Sequence, residues 1–258
     1  MINREFLGLI LIFLVISVVS AQNEDVEYFN AMKILADQGD AEAQNYVGGC
    51  YDLGIGVEQN INEAVKYYKL AAEQGNADGQ FNLGLCYQEE VIQDYNEAAK
   101  WFKLAAEQGD SDAQYNLGVC FYNGLGVIKD NKEAVKWYKL AAEQGNVDAL
   151  YNLGVCYENG LIPDYKEAVV WFKLAAEQGD AEAQYNLGVY YTNSYGVRLD
   201  YQEAFKWFIL ACNNASGELF ETASGNRDIV REELTPIQIE QATLEAQEIQ
   251  SRIDKAGE

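Results

Sequence analysis

The sequence predicts an all-α fold, an α/α superhelical solenoid of about five helical-hairpin repeats closed by a C-terminal capping segment. Three observations carry that expectation. The phrase Leu-Ala-Ala-Glu-Gln-Gly ends at Gly75, Gly109, Gly145 and Gly179, with a shortened Asp-Gln-Gly at Gly39, so the spacing alternates between 36 and 34 residues. A fixed period in this range marks solenoids and arrays. Each period holds two helix start signals and one glycine stop, and the 258 residues contain only two prolines, so few interior breakers, each costing about 3 kcal/mol in a helix, interrupt the chain.

Residues 1–21 read as a secretory signal peptide: Arg4 precedes an apolar run, Phe6 to Val19, that ends in the small residues Ser20 and Ala21. Cleavage is expected after Ala21, and a secreted or periplasmic location with it. The competing reading, a retained anchor, has only the 16 residues Phe6 to Ala21, where about 20 are needed to span a bilayer. Residues 22–39 look like the second half of an incomplete repeat. Five full repeats follow at 40–75, 76–109, 110–145, 146–179 and 180–215, and residues 216–258 diverge as a helical cap does.

The first helix of each repeat is expected to start at Asp40, Asn76, Asp110, Asn146 or Asp180, whose side chains can accept from orphan backbone N–H groups. The second opens at Asp94, Asp130, Asp164 or Asp200, each followed three residues later by Glu97, Glu133, Glu167 or Glu203, a spacing that predicts a capping box. The repeated glycine suits the left-handed residue after a helix end. Small residues recur within the helices, Gly48, Gly84, Gly118, Gly154 and Gly188 in the first and Ala64, Ala98, Ala134, Ala168 and Ala204 in the second. They let two axes approach closely, so each repeat is an antiparallel hairpin. Gly54-x-Gly56 and Gly124-x-Gly126 fill a two-residue extension between the helices of repeats 1 and 3 that repeats 2 and 4 lack. Neither continues as a phosphate loop, so both read as turns.

The phrase Ala-Glu-Ala-Gln-Tyr-Asn-Leu-Gly-Val (181–189), the segment Asp-Tyr-x-Glu-Ala-x-x-Trp-Phe (164–172) and the Leu-Ala-Ala-Glu-Gln-Gly close together resemble the Sel-one-like repeat (SLR), a relative of the tetratricopeptide repeat, over about 180 residues. The resemblance implies a right-handed solenoid that serves as a protein-binding scaffold. Leu234-Thr235-Pro236 resembles the closing segment of many bacterial members. Physically, Thr235 caps, Pro236 takes the first helical position and Gln238 completes a capping box. Some secreted members pair two cysteines per repeat and have been linked to β-lactam binding; this chain has neither that spacing nor a Ser-x-x-Lys.

Composition narrows the function. With 18 Lys plus Arg against 41 Asp plus Glu, the net charge is −23, the wrong sign for a nucleic-acid partner. No histidine is present, which removes Ser-His and Cys-His catalysis and imidazole metal ligation. No nucleophile stands with a base at motif spacing, so neither enzyme activity, metal nor cofactor is expected. A cell-envelope hydrolase, β-lactam-active or wall-processing, and a purely structural spacer are the contrasting readings.

Trp101, Trp137, Trp171 and Trp207 occupy one repeat position, with Tyr67 in repeat 1. They read as packing anchors between stacked hairpins, against the alternative of an aromatic ligand ladder. Cys50, Cys86, Cys120 and Cys156 also fall one per repeat, with Tyr190 in repeat 5. Equivalent positions on packed helices lie about 8–10 Å apart, beyond the roughly 7 Å a disulfide allows, so free buried thiols are expected, with Cys212 unpaired. Asn214-Ala215-Ser216 is a glycosylation sequon that matters only in a eukaryotic host.

One surface has no packing role in this scheme. By analogy with tetratricopeptide repeats, the second, fifth and ninth residues of each first helix face the concave side: Asp78, Phe81 and Leu85; Asp112, Tyr115 and Val119; Asp148, Tyr151 and Val155; Glu182, Tyr185 and Val189. Spacings of three and four place them on one helical face. An acidic edge and an aromatic floor would suit an extended, basic segment of another protein. The alternative is that these rings cover neighbouring helices.

Overall fold

The structure, a computed structural model, describes residues 24–89, 92–160 and 164–256; the leader at 1–21 lies outside them. Thirteen α-helices and no strand are found among the described residues. They are α1 over 24–37, α2 Ala41–Leu53, α3 Ile61–Glu73, α4 Ala77–Gln88, α5 Tyr95–Glu107, α6 Ser111–Asn123, α7 Asn131–Glu143, α8 Val147–Glu158, α9 Tyr165–Ala176, α10 Ala181–Asn193, α11 Tyr201–Asn214, α12 Gly217–Arg231 and α13 Pro236–Ala256. None of the helices searched among the described residues is long and apolar enough to cross a membrane. The chain divides into two compact bodies, an N-terminal one up to Asn116 with Leu125–Val127, and a C-terminal one of Leu117–Gly124 with Ile128 onward. Each is a run of consecutive helical hairpins.

The hairpins follow from their caps. In all five first helices the predicted Asp or Asn accepts from the backbone N–H three residues on, at 2.8 Å in repeat 1 (Asp40 to Ala43) and 2.6 Å in repeat 5 (Asp180 to Ala183). The stops behave as expected: Gly39, Gly75, Gly109, Gly145 and Gly179 are left-handed, with φ between 88° and 100°.

The second helices differ from expectation in one respect. Asp94 accepts from the N–H groups of Asn96 and Glu97, so the cap is present, but the reciprocal half of the box is not made. The Asp94 N–H donates instead to the Tyr87 carbonyl at 2.8 Å, and Asp130, Asp164 and Asp200 donate likewise to Phe121, Tyr157 and Tyr191. That N–H ties the second helix to the end of the first, which leaves Glu97 free to accept from Lys100 and from the Trp101 indole. Among the described residues a full capping box forms at α13, where Thr235 and Gln238 exchange bonds.

Close approach within each hairpin comes from the mid-helix glycines. A Cβ on Gly154 would lie 2.5 Å from two ring carbons of Phe172, and Gly48, Gly84, Gly118 and Gly188 meet the rings of Tyr68, Phe102, Tyr138 and Phe208 in the same way. The repeated alanines of the second helices are fully buried beside them. Tyr67, Trp101, Trp137 and Trp207 are buried and Trp171 half-buried, as packing anchors should be. All five cysteines are free thiols, and burial pushes Cys120 up to about 11 and Cys86 and Cys156 to about 12.

Successive hairpins are joined by a buried amide chain that the sequence reading did not anticipate. Gln44, Gln80, Gln114 and Gln184 each donate to a carbonyl in the last turn of the preceding helix, Ala36, Ala72, Ala106 and Ala176, which also accepts from the N–H of the closing glycine, so the amide adds a second donor at the helix end. Gln74 and Gln108 in turn donate to Gln44 and Gln80. Repeat 4 has Leu150 at this position.

The two-residue extensions form docking loops. A Cβ on Gly126 would fall inside the backbone of Tyr95 at the start of α5, and Gly56 meets Asp25 of α1 in the same manner. A third loop went unrecognised because Ser194 stands where its counterparts have glycine. Ser194 is nonetheless left-handed at φ 59°, and Gly196 packs on Tyr165 at the start of α9.

The cap covers α11. Lys206 bonds Glu203 at 2.5 Å and Glu245 of α13 at 3.1 Å. Burial works against its charge, but the two carboxylates outweigh it and raise its pKa. Ala246 and Ile249 join Trp207 and Leu210 in one core, and Asn214 and Gln250 exchange amide bonds at 3.1 Å. The buried indole N–H of Trp207, like that of Trp171, finds no partner.

Candidate functional site

The twelve residues predicted to form one concave face divide between the bodies. Asp78, Phe81 and Leu85 on α4 and Asp112 and Tyr115 on α6 belong to the N-terminal body. Val119 on α6, Asp148, Tyr151 and Val155 on α8, and Glu182, Tyr185 and Val189 on α10 belong to the C-terminal one. Within each body the pattern is uniform: the acids are exposed and the aromatic and aliphatic positions half-buried.

The rings are half-buried because they rest on the second helix of their own repeat. Phe81 lies 5.9 Å from Phe102 between centroids, Tyr151 5.7 Å from Phe172 and Tyr185 5.9 Å from Phe208, all tilted. Their outer ends are engaged too. The Tyr151 hydroxyl is hydrogen-bonded to Glu182 and Asn186 of the next first helix, and burial followed by Glu182 raises its pKa. Tyr185 accepts from Asn226 of α12 at 3.3 Å, and with Val189 it packs on the core of Phe208, Val230 and Ala242. The cap therefore covers the last of the predicted aromatic positions, and packing takes a larger share of these rings than a bare ligand floor would leave.

The acids form the distinctive part. Asp180, the cap of α10, is raised above the usual carboxylate range, first by burial and then by the charges of Glu182 and Asp148. In the N-terminal body Asp110 is raised by burial, then by Asp112 and Asp78. Each body thus carries three mutually repelling carboxyl groups on its first-helix face. The sequence reading assigned Asp110 and Asp180 a capping role only; their proximity to the edge acids follows from the N-cap lying two residues before Asp112 and Glu182. Among the described residues no cluster of three or more Cys, Asp or Glu could hold a metal ion.

An open cavity of about 840 Å³, which no motif announced, lies at the start of α7 and the end of α8. Lys129, Lys132, Val135, Cys156 and Tyr157 are among its lining.

A family model described as Sel1 repeat matches residues 41–76, 77–110, 111–146, 147–180 and 181–216. Among solved structures, the chain is similar to a Sel1 repeat protein from Oxalobacter formigenes, at 34% identity and a TM-score of 0.73 over 88% of this chain and 96% of that one. It is also similar to c5321, a protective antigen of uropathogenic Escherichia coli strains with an SLR fold, at 30% identity and a TM-score of 0.56 over 87% of this chain and 56% of that one. YrrB, a tetratricopeptide protein, shares the fold at 23% identity and a TM-score of 0.53, covering 78% of this chain and 99% of that one. No curated protein matches the chain.

Proposed function

Since the chain belongs to the Sel1 repeat family, whose fold commonly mediates protein–protein interaction, we propose that it is a secreted or periplasmic, non-enzymatic scaffold that binds an extended basic segment of another protein. The observation that carries this reading is the field at Asp180. Burial first, and then the charges of Glu182 and Asp148, raise its pKa, so negative charge gathers on this face. A Lys or Arg side chain placed there would relieve that repulsion, and opposite charges across an interface chiefly accelerate encounter. The half-buried ring of Tyr151 supplies contact area beside these acids, and within the N-terminal body Phe81 and Tyr115 do the same for Asp78 and Asp112.

The test is binding of a labelled Lys/Arg-rich peptide to the full chain at two salt concentrations. Association should slow with salt and with Asp148→Asn plus Glu182→Gln, and the Asp180 pKa, followed by NMR, should fall when the peptide is bound. A salt-independent association rate, or an Asp180 pKa that does not move, rules the reading out. Secretion rests on the character of residues 1–21. Mass spectrometry of protein from the envelope fraction should find Gln22 as the first residue, and an intact leader would refute cleavage.

A further inference from the structure

The outer face of α9 repeats, without an occupant, the surface that α13 covers on α11. The two helices are equivalent second helices, and their positions correspond one to one: Val170 to Lys206 and Leu174 to Leu210. On α11, beneath α13, Lys206 is 8% exposed and Leu210 0%. On α9, Val170 is 50% exposed and Leu174 42%. With Val169, Lys173, Glu177 and Tyr191 they line a groove of about 440 Å³. The groove continues an existing interface, because Ile253 of α13 rests against the Gly179 turn that ends α9.

Repeat 4 is also chemically set apart. The position of Val170 is lysine in every other repeat, Lys66, Lys100, Lys136 and Lys206. On α11 that lysine is answered by Glu245 of the docked helix; on α9 an aliphatic side chain takes its place, so a carboxylate there would be left unpaired, at a cost. On α7 the pair is Lys136 and Leu140, and no such apolar couple arises.

We propose that the α9 face is a second docking surface, separate from the acidic face, and that it receives an amphipathic helix of another protein with the small and aliphatic stripe of α13, Ala242, Ala246, Ile249 and Ile253, but with an aliphatic residue where α13 has Glu245. Helix-in-groove recognition of this kind is read through anchors three, four and seven residues apart, which is the spacing of the α13 stripe. Opposite Val170 an acid is excluded, whereas Lys173 and Glu177, already paired with each other at 3.9 Å, tolerate polar flanks.

The experiment uses the full chain and a fluorescent synthetic peptide with the sequence of residues 236–256 carrying Glu245→Leu, followed by anisotropy. Saturable binding is expected, and the unsubstituted peptide should bind about tenfold or more weakly. Val170→Lys in the protein restores the residue the other repeats have, so it should fold and melt normally while weakening binding by a similar factor. Leu174→Lys should do the same, and Leu140→Lys on α7 should leave binding unchanged. Absence of saturable binding overturns the proposal. Binding that persists in Val170→Lys also overturns it, since the peptide would then be exchanging with the chain's own α13 or resting elsewhere.

Discussion

Replacing Gly154 by Ala sets two effects of opposite sign against each other within one residue. Gly154 sits in the middle of α8, where alanine is favoured over glycine by about 0.8–1.0 kcal/mol through helix propensity. The new methyl would lie 2.5 Å from Cδ1 and Cε1 of Phe172, whereas carbon atoms in contact rest at roughly 3.5–4.0 Å. Phe172 must therefore retreat by about 1 Å, and it has nowhere to go. It is wholly buried, with Tyr190 5.6 Å away on one side and Tyr151 5.7 Å away on the other. Overpacking of this sort costs about 1–3 kcal/mol, so after the propensity gain Gly154→Ala should lose up to about 2 kcal/mol. Gly225 is the control: it lies in α12 with nothing within 4 Å of a built Cβ, so Gly225→Ala should gain about 0.5–1 kcal/mol. Urea midpoints by circular dichroism measure both. Adding Phe172→Leu to Gly154→Ala should cost less than the sum of the single changes, by about 0.5 kcal/mol or more, as for side chains in contact. A Gly154→Ala protein stabilised as much as Gly225→Ala would refute the argument that glycine is there to seat the ring.

Three further outcomes follow from named contacts. Gln184→Leu strips the bond to Ala176 and removes one of the three acceptors of Asn214, and at about 0.5–1.5 kcal/mol net for each hydrogen bond the two losses should cost about 1–3 kcal/mol together; a neutral effect in urea would show that the amide chain is dispensable. Asp180 has a folded pKa raised above its ordinary 3.8, so its contribution to stability is present below that value and is lost as pH rises through the folded value. Asn caps as well as Asp, so Asp180→Asn should melt no lower than the parent at pH 7 and lose any advantage near pH 3; a lower melting point at pH 7 would contradict this. With burial holding Cys86, Cys120 and Cys156 at about 11–12, these thiols should react slowly with iodoacetamide in the native protein. Once it is unfolded all five cysteines should alkylate without reduction, and any native bridge seen by mass spectrometry would refute the free-thiol assignment.

What could be read from the sequence was what repeats. The glycine stops, the Asp and Asn caps and the mid-helix glycines recur five times, so each copy corroborates the others, and all of them take the predicted role. Features that depend on a partner outside the repeated phrase were harder to see, whether they occur once or several times. Ser194 conceals a docking loop because a left-handed serine looks like an ordinary surface residue. The capping box failed because spacing alone does not reveal that the Asp94 N–H has a better acceptor in Tyr87. The aromatic face was found, but how far its rings are spent on packing depends on Asn186 and Asn226 two helices further along the chain. Repulsion among Asp148, Asp180 and Glu182 needs distances that only the folded hairpin supplies. The tail read as a cap from its divergence, yet nothing in its pattern says that it lies along α11 or leaves α9 bare.

The docking loops have a consequence for how such a chain can grow and shrink. Gly56, Gly126 and Gly196 belong to repeats 1, 3 and 5, and each lands on the second helix of the element before it, α1, α5 or α9. In α5 and α9 that target is a repeat with the short connection. Long and short repeats thus interlock as tenon and mortise, and the true period is the couple, 70 residues (36 plus 34), rather than the hairpin. Excising 76–109 alone would bring two long loops against each other at one joint, while excising 76–145 would keep the alternation in phase. The longer deletion should then fold and melt more like the parent than the shorter one, the reverse of what the amount of lost chain alone would suggest, and equal melting of the two would dissolve the couple as a unit. Gene duplication in this lineage would be expected to copy hairpins two at a time.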